Sequence, residues 1–230
     1  MANYNSTILD TLIPKIKAVI FDMDGVLVDS ESQHFRAHKM AIEENGGTLT
    51  KEFYSTHGIS RDPLLFYADC FPDKKNNKEF LSCVSRRKLQ IYRQLQEKEG
   101  ILSVKPAISL VKFLYGKHIP LADGTAVYKN EAMKNLTTLG VSNFFRVIVT
   151  LDDVGGKRKP APDIYLKVSQ LLKVPPNRCL VIEDSENGVK AAAAAGMPVV
   201  VVPNAFTKTH NFTGVIIVSS FEQIKKTFSI

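Results

Sequence analysis

The first clear pattern along the chain is a short, almost unbroken apolar run, Ile16-Lys17-Ala18-Val19-Ile20-Phe21, the signature of a strand buried on both faces. Past it the period changes. Residues 31–45 carry Phe35, Met40, Ala41 and Ile42 at helical spacing and stop at Gly46-Gly47. Stretches 50–57, 62–70 and 77–99 also read as helices, with Gly58, Pro63 and Pro72 as punctuation, and no strand-like run appears before Gly100. From there strands and helices alternate. The spacing predicts helices over 107–115, 130–139, 162–172 and 187–195, and strands over 119–125, 146–151, 179–182, 198–202 and 215–218. Such alternation predicts parallel βαβ units in an α/β fold, a doubly wound Rossmann-like sheet. The expected domains are a core of residues 1–31 and 101–230, interrupted by an inserted α-helical cap of residues 32–100. Residues 1–14 are polar, end in Pro14 and read as a loose lead-in.

Composition narrows the class without changing this picture. A chain of 230 residues, 44% hydrophobic and 23% charged, can build one good core plus a smaller insertion. No apolar run reaches membrane-spanning length, and the first residues lack the basic-then-apolar order of a secretory signal. Cytoplasmic residence is therefore expected. Cys70, Cys83 and Cys179 are scattered and odd in number, which predicts reduced, structural thiols. The net charge of +7 raises nucleic acid as a partner. Its basic residues are spread, however, and the two tight clusters, Ser85-Arg86-Arg87-Lys88 and Lys157-Arg158-Lys159, have no interleaved aromatics. A small anionic substrate fits this charge better, with neither nucleic acid nor membrane as partner.

Candidate chemistry lies where predicted strands end. The first strand runs into Asp22 and Asp24, separated by one residue and followed by Gly25. Two close carboxylates repel unless a cation or a shared proton offsets them. An Asp-Gly turn would explain this pair taken alone. The strand 179–182, however, also runs into acids, Glu183-Asp184-Ser185, and carboxyl ends of parallel strands line one crevice. Asp22, Asp24, Glu183 and Asp184 are thus candidate ligands of one ion, and an oxygen-only set favours Mg²⁺. Lys159-Pro160-Ala161-Pro162-Asp163 puts a lysine in a proline-stiffened loop before a helix, while Thr125 and Ala126 end another core strand. A lysine, a hydroxyl and backbone N–H groups beside acids complete a site for phosphoryl transfer.

These motifs make the chain resemble the haloacid dehalogenase (HAD) superfamily, in the branch of β-phosphoglucomutases and phosphoglycolate-type or sugar phosphatases. The matching residues are Asp22-Met23-Asp24-Gly25-Val26-Leu27-Val28-Asp29-Ser30, Thr125, Lys159-Pro160-Ala161-Pro162-Asp163, Glu183-Asp184-Ser185, Asn187-Gly188-Val189 and Ala195-Gly196-Met197. They span nearly the whole core in order, and the helical insertion sits where that branch carries its cap. The resemblance implies that Asp22 is the nucleophile forming an aspartyl-phosphate and Asp24 the general acid and base. It implies Mg²⁺ on Asp22, the Asp24 carbonyl and Asp184, with Glu183 behind them, and Thr125 and Lys159 on the transferring group. Carbon–halogen chemistry would not need the acid–base Asp24, so its presence argues for phosphate.

Two departures from the family pattern stand out. Pro120-Leu121-Ala122-Asp123-Gly124 carries an acid where such strands stay apolar or small; Asp123 is then either buried at a cost or bonded to a neighbouring loop. The loop Gly155-Gly156-Lys157-Arg158-Lys159 is long and basic, leaving Lys157 as a second candidate for the lysine role. Cap and substrate-side candidates implied by the resemblance are His34, Arg61, Lys88, Lys129 and Asn130. The expected activity is a Mg²⁺-dependent phosphatase of a small phosphorylated metabolite. A β-phosphoglucomutase-type mutase is the alternative, a non-catalytic binding or regulatory domain is the reading from another class, and a monomer or weak homodimer is the expected assembly.

Overall fold

The computed structural model describes residues 8–59 and 61–229. The first seven residues of the predicted lead-in, and Ser60 in the loop before Arg61, lie outside the described residues. Six parallel strands form one sheet: β1 (Ala18–Phe21), β2 (Leu121–Gly124), β3 (Val147–Val149), β4 (Cys179–Glu183), β5 (Val199–Val201) and β6 (Ile216–Ile217). Their spatial order is β3-β2-β1-β4-β5-β6, so the chain starts in the middle and winds outward both ways. This is the doubly wound α/β sheet that the alternation predicts. The order reverses beside β1, and crevices at such switch points are where ligands bind.

Where a loose lead-in is expected, residues 8–12 are helical, a 3₁₀ turn follows at Ile13–Lys15, and Leu9 is buried. After them, nine helices, among the described residues, accompany the sheet: α1 (Ser30–Glu43), α2 (Lys51–His57), α3 (Pro63–Cys70), α4 (Lys78–Glu99), α5 (Lys105–Gly116), α6 (Lys129–Thr138), α7 (Asp163–Leu172), α8 (Glu186–Ala194) and α9 (Phe221–Thr227). The strands are shorter than the apolar runs suggest. β3 covers only Val147–Val149, because a 3₁₀ turn at Leu151–Val154 takes the residues that follow. Helix α9 is absent from the sequence reading; its seven residues are too few to show a helical period.

The chain divides into two compact units. One comprises residues 1–28, 103–204 and 210–230; the other comprises residues 29–102 and 205–209. In the α/β unit, Ala18 and Ile20 of β1 join Ala122, Val149, Val181 and Val201 of neighbouring strands in one core. Ile164, Tyr165 and Val168 of α7, with Val189, Ala191 and Ala192 of α8, cover that face. The alternate residues Val19 and Phe21 are equally buried, so β1 is enclosed on both sides. In the helical unit, α1 and α4 pack along each other, and Ala37, Ala41 and Ile42 meet Val84, Ile91 and Leu95 in its core. Each N-terminus is capped as its sequence dictates: Asp29 accepts from the Ser32 N–H, Thr50 from Phe53, Asp62 from Leu64 and Leu65, and Asn77 from Phe80. Among the described residues no helix is long and apolar enough to cross a membrane.

Candidate active site

Register sets the frame of the site. β1 runs beside β2 with Phe21 opposite Asp123, and beside β4 with Phe21 opposite Ile182. The next residues, Asp22 and Glu183, therefore emerge together at the carboxyl edge. A tight turn follows Asp22: Met23 O accepts from the N–H groups of Leu27 and Val28, at 2.8 and 2.9 Å, and the Gly25 N–H donates to Val28 O at 2.7 Å. Gly25 has φ of +80°, and a Cβ there would stand 2.2 Å from Asp184 Oδ2. Glycine is thus required both by the backbone and by the carboxylate pressed against it.

Lys159 ties the strand ends together. Its Nζ donates to Asp22 Oδ1 at 2.5 Å, to Glu183 Oε1 at 2.7 Å and to the Tyr165 hydroxyl at 2.7 Å, which uses all three of its protons. Tyr165 donates in turn to Glu183 Oε1 at 2.6 Å. The other Glu183 oxygen accepts from the Asp184 and Ser185 N–H groups and from Ser185 Oγ. A Cβ at Gly188 would fall 1.8 Å from Glu183 Oε1, so the carboxylate lies against bare backbone. Both oxygens of Glu183 are fully engaged. Its place is to hold the lysine and the loop.

Electrostatics divide the two acids that share Lys159. Burial and then the Glu183 charge push the Asp22 carboxyl up to about 8, against the pull of Lys159. Burial would raise Glu183 too, but Lys159, Tyr165 and the loop amide hold it below its ordinary value. Burial alone would lower Lys159; Asp22 and Glu183 more than reverse this and keep it charged. The cluster therefore carries one more carboxylate than its single ammonium can neutralise.

A divalent cation fits that surplus. Asp22, Glu183 and Asp184 offer oxygens that all lie within 4.8 Å of one another, and all three residues are buried. Asn204 Nδ2 donates to Asp184 Oδ2 at 2.6 Å and steadies that carboxylate. The donors are all oxygen, as magnesium prefers. Asp24 is half-buried in the turn, at a bridge with Val28.

The remaining predicted residues fall into separate places. Thr125 is fully buried beyond β2; its N–H donates to Val149 O and its Oγ1 accepts from the Val127 N–H at 3.3 Å. Ala126 is half-buried, its carbonyl taken by Arg158 Nη1 at 3.1 Å. Lys129 and Asn130 have exposed side chains at the start of α6, where the Lys129 N–H meets Asp152 at 2.7 Å. Lys159, not Lys157, reaches Asp22; Lys157 is exposed and paired with Asp163 at 2.6 Å. Within the helical unit, Lys88 Nζ lies 2.7 Å from His34 Nδ1, and the His34 ring stacks on Tyr92. Arg61 bridges Asp69 at 2.7 Å.

Tyr165 and Asn204 are site residues that the sequence reading misses. Tyr165 occupies an apolar-looking position in the first turns of α7, and only its six-residue separation from Lys159 hints at contact. Asn204 follows β5 in a loop with no motif.

A family model described as haloacid dehalogenase-like hydrolase matches residues 19–202. A phosphorylated carbohydrates phosphatase of Thermotoga maritima is 35% identical over 185 residues, 79% of this chain and 82% of that protein. A β-phosphoglucomutase of Bacillus subtilis is 34% identical over 187 residues, 79% of this chain and 81% of that protein. Among solved structures, CbbY from Rhodobacter sphaeroides, in complex with xylulose-(1,5)bisphosphate, superposes with a TM-score of 0.70 at 26% identity, covering 90% of this chain and 95% of that one.

Proposed function

The chain belongs to the haloacid dehalogenase-like hydrolases, and from that premise we propose that it is a Mg²⁺-dependent phosphatase of small sugar phosphates working through an aspartyl-phosphate. One observation carries the reading: Asp22 is held at 2.5 Å by a buried lysine that also grips Glu183, beside Asp184. A carboxylate so fixed and partly neutralised suits attack on phosphorus better than a structural ion pair needs to. The names of the relatives, a carbohydrate phosphatase and a sugar phosphate mutase, support the substrate class.

In the first step an Asp22 oxygen bonds to phosphorus while the ester P–O bond breaks, and the leaving oxygen takes a proton from the Asp24 carboxylic acid. In the second, water attacks the same phosphorus, gives its proton to Asp24, and the bond to Asp22 breaks to release phosphate. Lys159 offsets negative charge on Asp22 throughout, while Glu183 and Tyr165 keep its ammonium pointed there. Asp22, Asp184 and the Asp24 backbone carbonyl would hold Mg²⁺, which supplies charge neutralisation for the transferring group when bound. Domain roles follow: the α/β unit performs the chemistry, and the helical unit, with His34, Lys88 and Arg61, selects the substrate.

The test is a turnover screen with Mg²⁺ across hexose and pentose phosphates, phosphoglycolate and nucleoside monophosphates, measuring both free phosphate and isomerised sugar phosphate. Stoichiometric phosphate release from a sugar phosphate is expected. Conversion of β-glucose 1-phosphate into glucose 6-phosphate without matching free phosphate would replace the phosphatase by the mutase. No turnover of any substrate would leave the non-catalytic reading.

A further inference from the structure

An inserted cap needs only two chain crossings, one in and one out. Here the chain crosses between the units four times, after residues 28, 102, 204 and 209, because residues 205–209 belong to the helical unit. Phe206 is what places them there. Its ring is buried in the helical core, with the Phe35 ring of α1 at 5.7 Å between centroids and the Tyr54 ring of α2 perpendicular to it at 6.0 Å. Lys51 Nζ, also on α2, lies 4.5 Å from the ring centre. An aromatic from the loop between β5 and β6 thus completes the packing of two cap helices.

Two residues earlier the same loop serves the α/β unit. Asn204 Nδ2 donates to Asp184 Oδ2 at 2.6 Å. The bond fixes the direction of a buried carboxylate that belongs, with Asp22 and Glu183, to the oxygen set suited to a divalent cation. Upstream, the Val202 N–H donates to Glu183 O at 2.9 Å and Pro203 restricts the backbone. Downstream, a single exposed residue, Ala205, separates Asn204 from Phe206. Three consecutive residues span at most about 7 Å between their outer Cα atoms. So short a strap has little room to absorb a shift of the ring before the amide feels it.

We propose that Phe206 is a positioning residue for Asp184: seated in the helical unit, it holds the Asn204 amide on the carboxylate, so that part of the Mg²⁺ affinity is set in the cap. This inference rests on the metal site proposed above and adds to it a residue outside the expected set. The coupling is reciprocal, so Mg²⁺ at Asp184 stabilises the seat of Phe206 by the same factor by which the seated ring favours Mg²⁺.

The experiment is calorimetric titration of Mg²⁺ into the full chain without substrate, for wild type, Asn204→Ala, Phe206→Ala, Phe206→Leu and the Asn204→Ala/Phe206→Ala double variant. Asn204→Ala should weaken Mg²⁺ binding about tenfold or more, the usual effect of removing a group that orients a metal ligand. Phe206→Ala should weaken it about three- to tenfold, and Phe206→Leu, which still fills the seat, by no more than about twofold. Because Phe206 acts through Asn204, the double variant should bind no more weakly than Asn204→Ala alone. Hydrogen exchange reads the reverse direction: Mg²⁺ should slow the amides of α1 and α2 in wild type and not in Asn204→Ala. A merely structural Phe206 would lower the melting temperature and leave Mg²⁺ affinity unchanged, which overturns the inference. So does a double variant whose loss is the sum of the single ones. If Phe206→Ala does not fold, two glycines inserted between Ala205 and Phe206 keep both side chains and loosen the strap; wild-type Mg²⁺ affinity in that protein overturns the inference equally. Mg²⁺ binding by wild type with no effect of the variants sinks this inference alone, whereas a wild type that binds no Mg²⁺ sinks the metal-dependent reading with it.

Discussion

The α/β unit buries Asp22, Glu183, Asp184, Lys159 and Tyr165 in one cluster; the helical unit buries Lys88, His38 and Tyr67, with a half-buried His34, in another. The first is built from acids on neighbouring strand ends, with one ammonium among them, and Asp22 is pushed up to about 8 by burial and by Glu183. The second is built from rings on helices. His34 and His38 are one turn apart on α1, Lys88 and Tyr92 one turn apart on α4, and His38 Nδ1 meets the Tyr67 hydroxyl of α3 at 2.9 Å. Burial, helped by Lys88, holds both imidazoles neutral, His38 down to about 2. One cluster stores a charge imbalance that a cation and an anionic substrate can relieve. The other sets the Lys88 ammonium against imidazoles that burial keeps neutral. The contrast separates the acids proposed to carry out the chemistry from the residues proposed to select the substrate.

Asp22→Asn is the largest blow to that contrast. With the nucleophile gone, turnover of sugar phosphates should fall by about a thousandfold or more. Melting of the metal-free protein should hold or rise, because the acid that burial and Glu183 destabilise has been neutralised. Retained turnover would remove the chemical half of the comparison.

Lys159→Met comes next and acts on both turnover and folding. It leaves Asp22 and Glu183 facing each other without a cation, and removing one partner of a buried ion pair costs about 3–5 kcal/mol. Turnover should fall by about a hundredfold, with a lowered melting temperature. Added Mg²⁺ should restore part of the melting temperature, since the cation neutralises the same carboxylates. A variant as stable as wild type without Mg²⁺ would show that the three-way contact at Lys159 carries no energy.

Tyr165→Phe is a smaller change to the same cluster. It deletes a hydroxyl that accepts from Lys159 and donates to Glu183, while the ring that packs 3.2 Å from where a Gly124 Cβ would lie is kept. The expected cost is about 1–2 kcal/mol, a melting point lower by about 3–6 °C. A loss of only a few fold in turnover should accompany it. Loss of turnover as complete as for Lys159→Met would mean that the hydroxyl, rather than the ammonium, positions Asp22.

How much of this the sequence discloses follows from how each cluster is assembled. Asp22, Asp24, Glu183 and Asp184 sit immediately after apolar runs, so strand periodicity alone carries them to one edge of the sheet. Lys159 is legible as a motif. Its choice over Lys157 is not, because loop conformation decides which of two lysines turns inward. Tyr165 looks apolar in sequence and works through its hydroxyl, which only the fold brings to Lys159 and Glu183. In the helical unit the reading finds His34 and Lys88 by resemblance but cannot pair them, since their contact spans two helices 54 residues apart. His38 escapes notice because a lone histidine on an apolar helix face carries no motif. The short α9 and the loop residue Asn204 leave no periodic trace.

The smallest effect, and the one that tests the difference in sign between the clusters, is the response of stability to pH. His38 has its folded pKa depressed from 6.5 to about 2 by burial first and then by Lys88 and His34. Below pH 6.5 the unfolded chain takes up a proton that the folded one refuses. The stability that His38 contributes is therefore present above pH 6.5 and lost steadily as pH falls toward 2. The loss is about 1 kcal/mol between pH 7.5 and 5.5. Asp22 runs the opposite way in the metal-free protein. Its folded pKa lies above the unfolded value, so between about 4 and 8 acidification favours the folded form. Denaturant melts of the metal-free wild type at pH 7.5 and 5.5 should thus show the Asp22 gain offsetting the His38 loss. His38→Gln should flatten the acid limb, and Asp22→Asn should steepen it. Identical pH profiles for the three proteins would show that neither buried cluster governs the titration of the fold.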